Sequence, residues 1–105
     1  MTPLVDSHCH LPILADFRDG LAPADAVAAA GEDGVAWMLC VAVDLDSYAD
    51  VKACADSFDN VFASVGVHPC SVVAHEPGVD ELAALAVDDR VVAVGETGLD
   101  YFHDD

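Results

Sequence analysis

Basic residues are nearly absent from this 105-residue chain: Arg18, Lys52 and Arg90 stand against 20 acidic side chains, for a formal net charge of −17. Proteins that grip nucleic acid usually carry a basic footprint. Tight nonspecific binding to DNA or RNA in ordinary salt is therefore not expected. At ~1 M salt the Debye length falls to ~3 Å, and an acidic surface then repels a polyanion little. A salt-adapted surface accounts for the charge, and so does an acidic part of a larger, less acidic protein. No apolar run approaches the ~20 residues that span a bilayer. The opening Met-Thr-Pro-Leu-Val-Asp has no basic region followed by an apolar stretch, so no signal peptide is expected. These absences predict a cytoplasmic chain with no membrane partner. Cys9, Cys40, Cys54 and Cys70 form no CxxC pair, which argues against a zinc ribbon. Each lies in or beside an apolar segment and is expected to be a free, mostly buried thiol in a reducing compartment. Internal repeats beyond a strand–helix unit and low-complexity linkers are also missing.

Hydrophobic residues make up 54% of the chain, a globular and not a disordered composition. The length suits one small domain with a modest core. Leu4 to Asp6 predicts a first strand. Pro23 to Ala30 is Ala-rich and opens with proline, which suits a helix's first turn, with Gly31 and Gly34 ending it. Ala36 to Val43 is a continuous apolar run, the pattern of a buried strand. Asp46 or Ser47 is placed to cap a helix running through Phe58, with Tyr48, Val51, Cys54 and Ala55 on one face. Val61 to Val67 predicts a third strand, Val79 to Val87 a third helix with Leu82, Leu85 and Ala86 as its stripe, and Val91 to Gly95 a fully buried fourth strand. The order βαβαβαβ implies an α/β fold with a parallel sheet and right-handed crossovers.

Three short segments carry chemistry. Residues 5–10 read Val-Asp-Ser-His-Cys-His. Side chains alternate along a strand, so His8 and His10 point one way and Cys9 the other. Two neighbouring imidazoles are a natural start to a metal site. Residues 91–96 read Val-Val-Ala-Val-Gly-Glu, an apolar strand ending in a glycine and one carboxylate. Glu96 falls where a βα loop begins, the edge at which parallel-sheet proteins assemble sites. The third segment, Gly66-Val67-His68-Pro69, ends strand three, and Pro69 biases His68 to an extended conformation. The C-terminal ends of parallel strands share one sheet edge, so His8, His10, His68 and Glu96 are expected to converge. Gly66, Gly95 and Gly98 would let backbone approach closely at the loop starts.

DSHCHL at 6–11, SVGVHP at 64–69 and GETGLDYF at 95–102 together resemble the N-terminal half of the TatD-type metal-dependent deoxyribonucleases, within the wider metallo-dependent hydrolase group. The resemblance covers essentially the whole chain. It implies the N-terminal half, βαβαβαβ, of a TIM-type (β/α)8 barrel, with residues 1–105 forming a partial hydrolase domain cut after the fourth strand. A complete barrel takes ~250 residues. The resemblance also implies that His8, His10 and Glu96 bind two divalent ions of Mg, Mn or Zn, with Glu96 bridging them as a catalytic group. His68 would touch substrate phosphate as a second catalytic or binding group. Asp6 and Asp100 would support these ligands from behind, although Asp6 could instead close the strand and Asp100 could cap a helix. His75 and His103 match no family ligand and are expected at the surface. Tyr101 and Phe102 are expected to pack.

The chemistry so implied is hydrolysis of phosphodiester bonds in DNA or a related substrate by metal-activated water. The family draws further ligands from later strands, so this chain alone is expected to bind metal poorly and turn over little. Two other readings remain open. One is a related metallo-hydrolase acting on a non-nucleic substrate such as an amide or lactone. The other is an inactive half-barrel that self-associates through its open sheet edges.

Overall fold

The computed structural model of the chain describes residues 2–17 and 19–102. β1 (Leu4–Cys9) leads into a 3-10 turn (Leu11–Ile13) and a single-turn helix α1 (Leu14–Phe17). Then follow α2 (Pro23–Glu32), β2 (Val35–Cys40), α3 (Leu45–Ser57), β3 (Val61–Val65), α4 (Val79–Ala86) and β4 (Val91–Val94). The four strands form one sheet in the order β1-β2-β3-β4, and every pairing is parallel. This is the α/β architecture expected, matching the first half of an eight-stranded barrel.

Some boundaries differ from those the sequence suggests. β1 continues past Asp6 to Cys9, because Cys9 pairs with Cys40 of β2 and its carbonyl accepts the Val41 N–H at 2.9 Å. The turn and α1 fill a stretch whose pattern does not announce a helix; Leu11, 1% exposed, anchors it to the core. α3 is capped by Asp44, two residues before Asp46 and three before Ser47. The Asp44 carboxylate accepts the Ser47 N–H at 2.7 Å, and the Ser47 hydroxyl accepts the Asp44 N–H at 3.1 Å, a reciprocal capping box. Ser47 is thus the third helical residue and not the cap.

The core lies between the sheet and α3. Met38 and Cys40 of β2, and Val61, Ala63 and Val65 of β3, meet Tyr48, Val51, Cys54 and Ala55 of α3. The four α3 residues are those whose spacing predicted its buried face. The expectation of fully buried strands fails at β2 and β4. Trp37 is 50% exposed, and Val92 and Val94 are each 59% exposed. In each case the neighbouring residues face the helices, and period-two alternation turns these outward. Among the described residues no element covers that second face, where Trp37 and Phe62 meet with ring centroids 5.8 Å apart. A continuous apolar run signals a strand between two layers, and only one layer is present here.

Arg90 ties β4 to the rest. Its guanidinium donates to the carbonyls of Ala55 (3.1 Å), Phe58 (2.8 Å) and Asp59 (3.0 Å), and also to that of Val61. It lies 4.3 Å above the Phe62 ring. One planar cation therefore satisfies the carbonyls at the end of α3 and the start of β3, where the helix dipole favours positive charge. Arg90→Ala is expected to lower unfolding free energy by about 2–3 kcal/mol. That corresponds to a fall of roughly 10–20 °C in Tm for a chain of this size. Arg90→Lys should recover little of it, because one ammonium cannot reproduce the fork. Thermal unfolding of the two variants checks this, and an unchanged Tm for Arg90→Ala would refute it.

Candidate metal centre

The site forms where β1, β3 and β4 end on one edge of the sheet. His8 lies in β1 and His10 just after it. Their Nε2 atoms approach to 3.2 Å, with the rings edge to face at 5.0 Å between centroids. Cys9 points the other way, toward the Leu39 carbonyl at 3.4 Å, as strand alternation requires. Glu96 reaches in from the loop after β4. Its Oε2 is 3.6 Å from His8 Nε2 and 3.8 Å from His10 Nε2. Its Oε1 is 3.7 Å from His68 Nε2, on the loop after β3. One carboxylate thus faces three imidazoles brought from positions 8, 10 and 68.

Backbone bonds fix these positions. The Glu96 N–H donates to the Ala42 carbonyl at 2.7 Å, and the His68 N–H to the Val43 carbonyl at 2.7 Å. The Gly95–Glu96 peptide is cis. Ser64, 1% exposed, is the hinge of the arrangement. Its hydroxyl accepts the Ala42 N–H at 3.0 Å and donates to the Gly95 carbonyl at 2.7 Å, so it links the ends of β2, β3 and β4. Sequence reasoning gave Ser64 no role. The available signal was a single hydroxyl inside the apolar run Val61–Val65, where a buried polar group must find partners.

Asp6 takes the second of the two roles open to it, closing the strand, and Asp100 reaches His68 only indirectly. Asp6 accepts the backbone N–H of His8 at 3.0 Å, a bond that holds the strand and does not reach an imidazole. Asp100 accepts the Cys70 thiol at 2.6 Å and the Phe102 N–H at 2.9 Å. Cys70 in turn gives its backbone N–H to His68 Nδ1 at 2.9 Å. Asp100 is therefore joined to His68 through Cys70, a link for which the sequence held no signal. The bond to Asp100 pushes the Cys70 thiol upward in pKa. Cys70 is exposed, against the expectation of burial, while Cys40 and Cys54 are buried and Cys9 is partly so; all four are free. A hydrogen bond to Cys40 and burial both raise the Cys9 thiol, and burial pushes Cys54 up to about 11. None of these three is poised as a thiolate.

His75 pairs with Glu81 at 2.9 Å on the surface, away from the site, as expected. His103 lies outside the described residues. Tyr101 and Phe102 are 80% and 88% exposed, so they are not buried in the core as anticipated.

Two imidazole nitrogens and a carboxylate oxygen, from His8, His10 and Glu96, lie within 4.8 Å of one another. That donor set suits a divalent ion such as Zn or Mn. His68 stands at its margin in a defined tautomer. Its Nδ1 accepts the Cys70 N–H, so the neutral ring carries its proton on Nε2, toward Glu96. A neutral His68 therefore faces the cluster as a donor and not as a ligand. Beside the cluster opens a cavity of about 390 Å³ whose rim includes His10, His68 and Glu96.

An α/β half-sheet with an HxH pair and a carboxylate on its C-terminal edge places the chain in the class of parallel α/β proteins whose strand ends bring together a donor set able to hold a metal ion. A family model described as TatD related DNase matches residues 5–105, and the chain belongs to that family. It is 42% identical over 102 residues to the uncharacterized metal-dependent hydrolase YcfH of Escherichia coli strain K12, covering 95% of this chain and 37% of that protein. It is 37% identical over 100 residues to the uncharacterized metal-dependent hydrolase TatD of Mycobacterium tuberculosis, covering 94% and 38%. It is 33% identical over 78 residues to the 3′-5′ ssDNA/RNA exonuclease TatD of Klebsiella pneumoniae, covering 73% and 30%. The chain thus spans 30–38% of the length of these relatives. Among the described residues no helix is long and apolar enough to cross a membrane.

Proposed function

We propose that this chain carries the first part of the centre of a metal-dependent hydrolase that cleaves phosphodiester bonds in nucleic acid. The observation that supports this most is the meeting of His8, His10 and Glu96, from opposite ends of the sequence, on one strand-end edge. A bound divalent ion would supply a water acidified toward hydroxide and neutralise phosphate oxygens. His8 and His10 would hold it through Nε2, and Glu96 through either carboxylate oxygen. His68 would donate from Nε2 to a phosphate oxygen, with Cys70 fixing its tautomer. The nucleic-acid assignment draws on the GETGLDYF segment and on the relative named as an exonuclease. The acidic surface, with a net charge of −17, works against a polyanionic substrate in ordinary salt and is the feature that favours the second reading, a related metallo-hydrolase acting on a non-nucleic substrate.

The test is hydrolysis of bis(4-nitrophenyl) phosphate and of single-stranded oligodeoxynucleotides with excess Mn²⁺, Mg²⁺ or Zn²⁺. Slow turnover that vanishes on chelation is expected. With only part of the family's ligands in this chain, its rate should lie well below that of a full-length relative. Turnover of a lactone or amide with phosphodiesters untouched would overturn the nucleic-acid reading in favour of another metallo-hydrolase.

A further inference from the structure

The cavity beside the cluster has chemistry of its own. Its volume, about 390 Å³, is in the range of small-molecule sites. Pro12, Ile13, Val41, Val43 and Val51 supply apolar walls. Ser47, Asp50 and Val51 stand at i, i+3 and i+4 on α3 and so share the helix face turned to the cavity. The other hydroxyls there are already engaged. Ser47 is held in the capping box with Asp44, and Ser71 donates to the Val43 carbonyl at 2.9 Å. The Asp50 carboxylate, by contrast, accepts no hydrogen bond from the described residues. Among the described residues no lysine or arginine lines the cavity. Lys52 is engaged by Asp56 and Asp88, and Arg90 by the end of α3. The space therefore suits a neutral flat group with apolar faces and a hydrogen-bond donor on its edge, and it disfavours an anion.

We propose that this cavity is a subsite for a nucleobase bearing an exocyclic amine, held by the apolar walls with its amine donating to Asp50. Adenine, cytosine and guanine carry that amine, whereas thymine has none: its one base-edge donor is the ring imide N–H, flanked by two carbonyl oxygens that the Asp50 carboxylate would repel. The rim at His10, His68 and Glu96 places the base next to the phosphate that the metal cluster would handle. The inference rests on the phosphodiester reading for its substrate class, but the cavity can be tested apart from it.

The experiment is a ¹H–¹⁵N NMR titration of the Mg²⁺-saturated chain with deoxyadenosine, thymidine and deoxyadenosine monophosphate. Deoxyadenosine should shift the Val41, Val43 and Asp50 amides and bind about 10-fold more tightly than thymidine, the worth of one hydrogen bond to a carboxylate. Asp50→Ala, an exposed change on α3, should abolish the preference. Val43→Trp should fill the cavity and abolish the shifts. Equal binding of deoxyadenosine and thymidine, or shifts that miss the cavity, overturns the inference. A monophosphate that binds no better than deoxyadenosine, with the cavity shifts intact, sinks the phosphodiester reading and leaves the base subsite standing.

Discussion

Glu96→Gln is expected to weaken divalent-metal binding by about 100-fold or more while leaving the fold intact. Loss of an outer-shell partner alone typically costs 10–100-fold in metal affinity, and Glu96 faces the cluster directly. Its Oε2 lies 3.6 Å and 3.8 Å from the two imidazoles of the HxH pair, and Oε1 lies 3.7 Å from His68. The amide keeps the shape but removes the only negative charge in the cluster of His8, His10 and Glu96. What remains is two neutral nitrogens, which leave a divalent ion without charge compensation. The backbone bond that positions this residue, Glu96 N–H to the Ala42 carbonyl, does not depend on the side chain. The apo Tm of the variant should therefore match that of the parent within ~0.5 kcal/mol of stability, the usual range for a surface change.

The readout is the rise in Tm on adding Mn²⁺ or Zn²⁺, which reports binding to the native state by mass action. The parent should gain with metal and the variant should not. The gain should also shrink on acidification, since imidazole and carboxylate must shed protons to bind a metal. A Glu96→Gln variant stabilised by metal as much as the parent would remove Glu96 from the centre.

Why the sequence exposes this cluster but not its scaffolding is a matter of periodicity. Strand alternation places His8 with His10, and βα topology places strand ends on one edge; both follow from apolar runs and their punctuation. That suffices to bring positions 8, 10, 68 and 96 together on paper. The links that fix them do not follow any period. Ser64 bridging Ala42 and Gly95, and the Cys70 thiol reaching Asp100, are contacts across 22 to 31 residues of chain that depend on register. The start of β1 and its end at Cys9 likewise depend on pairing with β2 and not on local propensity. Exposure of Trp37, Val92 and Val94 escaped the sequence reading for a different reason. Apolar runs report a strand's preference for two covered faces, and they carry no information on whether the second cover is in the same stretch of chain.

Gly66 shows how tightly the scaffold and the site are joined. It lies directly after β3, is buried, and its backbone does not adopt the left-handed region, so glycine is required there for space. A Cβ at Gly66 would sit 2.7 Å from the Glu96 carbonyl oxygen, 2.8 Å from the Gly95 carbonyl carbon and 2.9 Å from the Gly95 oxygen. All three are backbone atoms and cannot rotate away. The peptide they belong to is held by the Gly95 N–H to the Val65 carbonyl at 2.9 Å, by the Ser64 hydroxyl at 2.7 Å, and by the Glu96 N–H to Ala42 at 2.7 Å. Relief of the overlap must stretch those bonds. Overpacking of a close-packed site costs about 1–3 kcal/mol, and a strained hydrogen bond adds roughly 1 kcal/mol. Gly66→Ala is therefore expected to lose about 2–4 kcal/mol of stability. Because the displaced peptide carries Glu96, surviving folded protein should also bind metal more weakly. Gly95→Ala is the matched control: a Cβ there meets nothing within 4 Å, so it should change stability by no more than ~0.5 kcal/mol. Urea unfolding of both variants, with metal-induced Tm shifts measured alongside, separates the two. A Gly66→Ala protein with the parent's midpoint and metal response would mean that the end of β4 has slack, and the tight coupling between Gly66 and Glu96 would have to be given up.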